Sequence, residues 1–266
     1  MSRSALLLVT LVLAASAASA ASACSRPPAP VPAPPPSVAP APTPAPPGTA
    51  QVPGQLLDLT NWKLTLPTGQ EGKPEEIVEP ELSSFTNAFF RLNDGRDGVV
   101  FTANAGGVTT SGSSYPRSEL REMNGQEKAS WSNTAGTHTM RVREAVTRLP
   151  AVKPHVVAAQ IHDAEDDVIE VRLEGQRLLV EYNDGDDDAT LDPAYALGTP
   201  YDLEIDAADG HIRVSYNETQ KADIVKSGAG WYFKAGSYVQ SNLSRGDAPN
   251  AEGQVVIYAL HVQHAP

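Results

Sequence analysis

Cysteine is almost missing from this chain of 266 residues; Cys24 stands alone. That excludes an internal disulfide framework and any cysteine-built zinc site. Positive charge is scarce as well, with 20 Lys and Arg against 32 Asp and Glu, a net charge of -12. A general nucleic-acid binder needs a basic surface, so no nucleic acid is expected as a partner. Long apolar runs are lacking too. The one candidate, residues 6–15, is too short to cross a membrane as a mature helix. Helical periodicity is weak along the chain, and only residues 83–90 read as a short helix.

The chain opens with Arg3, then the short apolar run, then small residues ending in ASAASAASAC. Residues 1–23 therefore read as a signal peptide, to be left out of the fold. Two outcomes stay open. Ordinary cleavage after Ala20 or Ala23 gives a freely secreted protein. Alternatively, Cys24 sits where a bacterial lipoprotein signal places its lipid-bearing cysteine, although Ala21 stands where Leu is usual. The expected location is secreted, periplasmic or cell-surface, with a lipid anchor to the outer membrane as the second form. Residues 24–54 read as a disordered linker, since 27–53 hold 13 of the 23 prolines. Proline fixes φ and lacks an N–H donor, so this stretch extends as a spacer and joins no sheet. One domain, 55–266, remains, long enough for a single core.

That domain reads as strand after strand, at 62–66, 99–102, 117–123, 137–149, 155–162, 168–173, 177–182, 201–207, 211–216, 230–240 and 254–264. Turn signals such as Asn183-Asp184-Gly185 and Asp209-Gly210 separate them. Many alternating strands joined by short polar turns predict an all-β fold, a β-sandwich of jelly-roll type with a concave groove.

Three segments carry the chemistry: YPRSELRE at 115–122, QIH at 160–162 and YFKAGSYVQ at 232–240. At strand period, alternate side chains point to opposite faces. Arg117, Glu119 and Arg121 then share one face. So do Gln160 and His162, with Ile161 turned away, and Tyr232, Lys234, Tyr238 and Gln240 in the third segment. Such a selection suits a uronic acid polymer. Its C5 proton lies beside a carboxylate and its C4 carries the glycosidic oxygen. The carboxylate charge must be neutralised before that proton can leave, which an Arg fork and a Gln amide can do. A base near C5 and an acid near the leaving oxygen complete the set. His suits the base and Tyr the acid. Arg117, Gln160, His162 and Tyr238 supply these roles with organic groups alone, so no metal or other cofactor is expected.

The three segments resemble the signature motifs of the alginate lyases of polysaccharide lyase family 7, R-[ST]-E-[LV]-R, Q-[IV]-H and Y-F-K-A-G-x-Y-x-Q. Here they stand as RSELR, QIH and YFKAGSYVQ, without a departure, and NWKLTLP at 61–67 is similar to the family's usual opening. The resemblance implies a β-jelly roll and endolytic β-elimination of alginate, leaving 4,5-unsaturated uronate ends. It implies Arg117 and Gln160 as neutralisers and His162 and Tyr238 as the proton-transfer pair. The isoleucine form of the second motif leans toward guluronate-containing stretches. Arg121, Tyr232, Lys234 and Gln240 are expected to bind substrate, with Glu119 as a clamp that orients the arginines. His138, His155, His211, His261 and His264 read as structural, and Trp231 as core or rim. The acidic runs 75–81, 162–167 and 184–189 read as solvated turns rather than calcium loops, lacking the full loop pattern. The net charge opposes an anionic polymer, so the groove must be locally basic. The expectation is a monomer whose partner is alginate. A lyase for another polyuronate such as glucuronan, or a non-catalytic alginate-binding module, are the alternatives.

Overall fold

A computed structural model describes residues 48–266 of the chain. The expected signal peptide, Cys24 and the linker up to residue 47 lie outside the described residues. From Gly48 onward the chain is already seated on the domain: Ala50 is fully buried and its carbonyl accepts Arg96 Nη1 at 3.1 Å.

Seventeen strands follow in chain order. They are β1 (Trp62–Gln70), β2 (Lys73–Ile77), β3 (Phe90–Leu92), β4 (Val99–Asn104), β5 (Arg117–Asn124), β6 (Glu127–Lys128), β7 (Trp131–Ser132), β8 (Thr137–Arg148) and β9 (His155–His162). Then come β10 (Asp167–Glu174), β11 (Arg177–Tyr182), β12 (Asp187–Asp192), β13 (Tyr201–Ala208), β14 (His211–Tyr216), β15 (Thr219–Val225), β16 (Ala229–Val239) and β17 (Glu252–Ala265). Two antiparallel sheets result, a β-sandwich of jelly-roll type. The first runs β12-β11-β10-β9-β16-β5-β1-β2, and the second β15-β14-β13-β8-β17-β4-β3.

Turn chemistry sets the hairpins. Gly175, Asp209, Gly210 and Asn217 all adopt positive φ, the backbone that two-residue hairpin loops require. The facing sides of the two sheets supply the core. Leu120, Ile161, Phe233, Ala235 and Val239 of the first sheet pack in one cluster with Phe101, Val142, Val255 and Ile257 of the second. Burial of such side chains is worth roughly 1.5–3 kcal/mol each. Trp231 belongs to this core, at 2% exposed.

Two expectations need correction. Residues 83–90 do not form an α-helix; one 3-10 turn spans Leu82–Ser84, and β3 begins at Phe90. The Asn87 side chain accepts the N–H groups of Phe89 and Phe90 at 2.8 and 2.9 Å, offering the backbone a turn in place of a helix. The acidic runs are only partly turns: residues 75–77 belong to the edge strand β2, His162 ends β9 and Asp167 begins β10, and from Asp187 onward the run 184–189 is the edge strand β12.

Candidate active site

The three sequence segments, far apart in the chain, become three neighbouring strands. β16 lies between β9 and β5 at the middle of the first sheet. Its register sets Tyr232 beside His162 and Lys234 beside both Gln160 and Arg121. Gly236 then stands beside Glu119 and Tyr238 beside Arg117. Arg117, Arg121, Gln160, His162, Tyr232, Lys234 and Tyr238 line one hollow of about 280 Å³ on the outer face. Ile161 faces the other way and is fully buried in the core.

One local feature aligns these faces. Val171 on β10 pairs with Ala159, but the next residue, Arg172, pairs with Val157, so Ala158 is an extra residue on β9. Across the other edge of β9, Ala235 pairs with Ala159 and Tyr238 with Val157. A bulge of this kind flips the alternation beyond it. Val157, not Val156 or Ala158, therefore pairs with Tyr238 across the strands. Gly236 adapts β16 to the bulge at φ +145, and a Cβ there would meet Ser118 O at 2.6 Å.

Glu119 is the hub of the floor. It is 1% exposed and accepts Lys234 Nζ at 2.6 Å, Arg117 Nη1 at 3.1 Å and the Gln160 amide at close range. Burial pushes its carboxyl up, but Lys234 and Arg117 outweigh that and hold it below the ordinary carboxylate range. The expected clamp is present, although it grips Arg117, Lys234 and Gln160 rather than both arginines. Arg121 instead stacks 3.8 Å from the Tyr232 ring centre and donates to the carbonyls of Glu122 and Ala129. Arg117 stacks likewise 3.8 Å from the Tyr238 ring centre, and its Nε is buried without a hydrogen-bond partner. Lys234 is pushed down to about 8, by burial and then by Arg117.

The proton-transfer candidates sit in different settings. His162 donates Nδ1–H to the carbonyl of Asp163 at 2.7 Å, which leaves Nε2 as the basic nitrogen. Burial, and then the charge of Lys234, lowers the imidazole from its usual value, so the ring is neutral at neutral pH. Tyr238 shares a 2.8 Å hydrogen bond with Ser113 Oγ. Burial raises its phenol despite the nearby Arg117, so it holds its proton at neutral pH.

Gln240 departs from its expected neighbours. It lies just past the end of β16, and it lines an adjoining hollow with Tyr115, Asn242 and Arg245. The lining residues not singled out from sequence include Ser113, Lys63, Lys128 and Glu170. Ser113 sits in a loop without alternation, where pattern carries no signal. Lys63 and Glu170 do alternate with apolar neighbours, but so do solvated polar residues.

The five remaining histidines stand outside this hollow. His138 Nδ1 lies 2.7 Å from His264 Nδ1, and His264 Nε2 lies 2.7 Å from Glu122 Oε1, so an exposed His264 links two buried residues. His155 pairs with Glu174 and His211 with Asp223.

A sequence profile for alginate lyases matches residues 57–264. The solved structure of alginate lyase AlgAT5 from polysaccharide lyase family 7 is 53% identical, covers 82% of this chain and 100% of that one, and superposes with a TM-score of 0.79. The alginate lyase from Corynebacterium sp. is 49% identical over 80% of this chain and 98% of that one, with a TM-score of 0.77. An alginate lyase of Klebsiella pneumoniae is 26% identical, covering 80% of this chain and 91% of that sequence. With the profile spanning the whole domain, its three segments on adjacent strands and half its residues shared with a solved member, this chain belongs to the alginate lyases of polysaccharide lyase family 7.

Proposed function

We propose that this enzyme cleaves alginate within the chain by β-elimination and acts preferentially on guluronate-containing stretches. The uronate carboxylate docks against Arg117 and the Gln160 amide, which spread its charge as the C5 proton leaves. His162 Nε2 takes that proton. The C5–H electron pair forms the C4=C5 double bond, the C4–O4 bond breaks, and the departing O4 takes the Tyr238 proton. His162 then holds one proton more and Tyr238 one fewer, and exchange with solvent resets both.

The observation that carries the guluronate reading is the opposite tuning of these two residues. A neutral His162 is ready as base and a protonated Tyr238 is ready as acid. In guluronate the C5 proton and leaving oxygen lie on opposite faces of the ring, which suits two separate residues. In mannuronate they share a face, and a single Tyr serving both roles must first lose its proton, against the direction of its shift. Ile161 cannot touch a sugar, so any influence on preference passes through the position of its neighbours. A relative with the same architecture supports action on alginate. A variant of alginate lyase A1-II', 28% identical with a TM-score of 0.68, has been crystallised in complex with the substrate GGMG.

The test is ultraviolet absorbance of unsaturated uronate ends on separate polyguluronate, polymannuronate and glucuronan. Polyguluronate is expected to be cut fastest. Faster cleavage of polymannuronate removes the preference, and no signal on either alginate block removes the function.

A further inference from the structure

Glu170 is a carboxylate in the path of an anionic polymer. It lies on β10 in register with Gln160, one strand beyond β9. It is 5% exposed and lines both the catalytic hollow and the adjoining one. A buried carboxylate ordinarily keeps a close cation. Glu170 has a poor one. Among the described residues its hydrogen-bonding cation is Arg172, whose Nη1 stands at 3.4 Å. That guanidinium is held at 2.8 Å by Glu174 and closer still by Glu181. Lys234, which also faces Glu170, is committed to Glu119.

The charged and titratable groups around it come from every neighbouring strand. β9 contributes His162, β11 Glu181, β16 Lys234 and Tyr238, and β5 Arg117 and Glu119. Its own strand contributes Asp167 and Arg172. On the floor itself Arg117 and Lys234 bring two positive charges and Glu119 one negative charge. Around this cluster the hollow adds cations at Lys63, Arg121 and Lys128 and carboxylates at Glu76, Glu165, Asp166 and Asp167. An ionised Glu170 adds one more fixed negative charge beside the cations that meet the uronate carboxylate, and an uncharged Glu170 does not.

We propose that Glu170 is a positioning residue that must stay a neutral acid for the uronate carboxylate to seat, so that its ionisation weakens binding of the polymer. This rests on the lyase reading above. Burial first, and then Asp167, push its carboxyl up to about 8, so the neutral form prevails at neutral pH. Binding of the polymer raises it further, because an adjacent anion favours the protonated form.

The experiment follows KM and kcat on polyguluronate between about pH 7 and about pH 9.5 for the wild type and Glu170→Gln. For a single ionisation, wild-type KM is expected to climb by about tenfold per pH unit above the transition. The Gln variant, which cannot ionise, should climb less steeply over the same range, because only Lys234 then loses charge in that window. A KM rise of equal size in both proteins assigns the limb to Lys234, which loses charge in the same window, and overturns the proposal. A readout that needs no change at Glu170 is its side-chain carboxyl carbon signal in wild-type protein. It should titrate near 8 and move upward when guluronate trimer is added. Titration in the ordinary carboxylate range, or no movement with trimer, likewise overturns it. Wild type that yields no unsaturated ends on either alginate block fails the lyase reading and takes this one with it. An active wild type with an unchanged Gln profile fails this inference alone.

Discussion

Arg117 combines two features that a surface arginine lacks: an ion pair to a buried carboxylate and an aromatic ring beneath the guanidinium. Both fix the fork where charge must be neutralised. Arg117→Ala should therefore lower kcat/KM by about 3 kcal/mol or more, the scale of losing a preorganised transition-state donor. Arg117→Lys should recover little, because one ammonium reproduces neither the fork nor the stacking. Steady-state kinetics on polyguluronate would check both, and near-normal turnover in the Lys variant would reduce Arg117 to a general field. His162 and Tyr238 should separate by substrate. Tyr238→Phe should abolish cleavage of both polymers. His162→Asn should harm polyguluronate more than polymannuronate. In wild type the acid limb should lie below the ordinary imidazole value of about 6.5, since activity falls as the base takes a proton. That limb should vanish in His162→Asn. Equal losses on both polymers would sink the division of labour.

Strand β16 shows how an element can be dictated by its neighbours. Gly236 meets the backbone of β5 at a φ that side chains rarely adopt, and no rotamer can relieve a contact with backbone atoms. Gly236→Ala should destabilise the domain by roughly 1–3 kcal/mol and displace Glu119, so thermal stability and turnover should fall together. Stability held at the wild-type level would show that β5 yields more easily than its packing suggests. The sequence made the interior strands and the catalytic face legible, because buried strands must alternate and hairpin loops need residues that tolerate positive φ. It hid the edges. β2, β12, β15 and β3, none of them expected, are the outer strands of the two sheets. Segments such as KPEEI and TQKADIV are mostly exposed and carry charges, which hinder edge-to-edge pairing and break the apolar period. The bulge at Ala158 was hidden as well, since HVVAAQIH reads as unbroken strand. Glu119 as a clamp could be inferred from charge alone, but its choice of partners depends on register, which only β16 sets.

Across the whole molecule, pH should act on stability through a second buried acid. Glu144 lies in the core-facing part of β8, fully buried, with Tyr201 donating to Oε1 at 2.8 Å and Oε2 unpartnered. Burial pushes it up to about 7. The folded state thus holds a proton that the unfolded chain releases near 4.3. Its contribution is complete below that value and is lost as pH climbs toward and through about 7. Glu144→Gln should therefore melt increasingly above wild type across that window and hold a constant advantage beyond it. A melting difference independent of pH would mean that Glu144 never ionises in the fold. The anchor is a separate question at this scale. If Cys24 carries lipid, the protein partitions with membranes and Cys24→Ser releases it, whereas wild type found wholly in the medium leaves ordinary secretion.

The placement of the last two strands has a consequence for biosynthesis. β16 fills the middle of one sheet and β17 joins β8 to β4 in the other, yet both come from Ala229 onward. A ribosome that has made everything before them has made two split sheets and no site. Tyr232, Lys234 and Tyr238 arrive only when nearly all of the chain has been synthesised, and a shortened chain loses both strands together. The site is thus completed only with the closing strands.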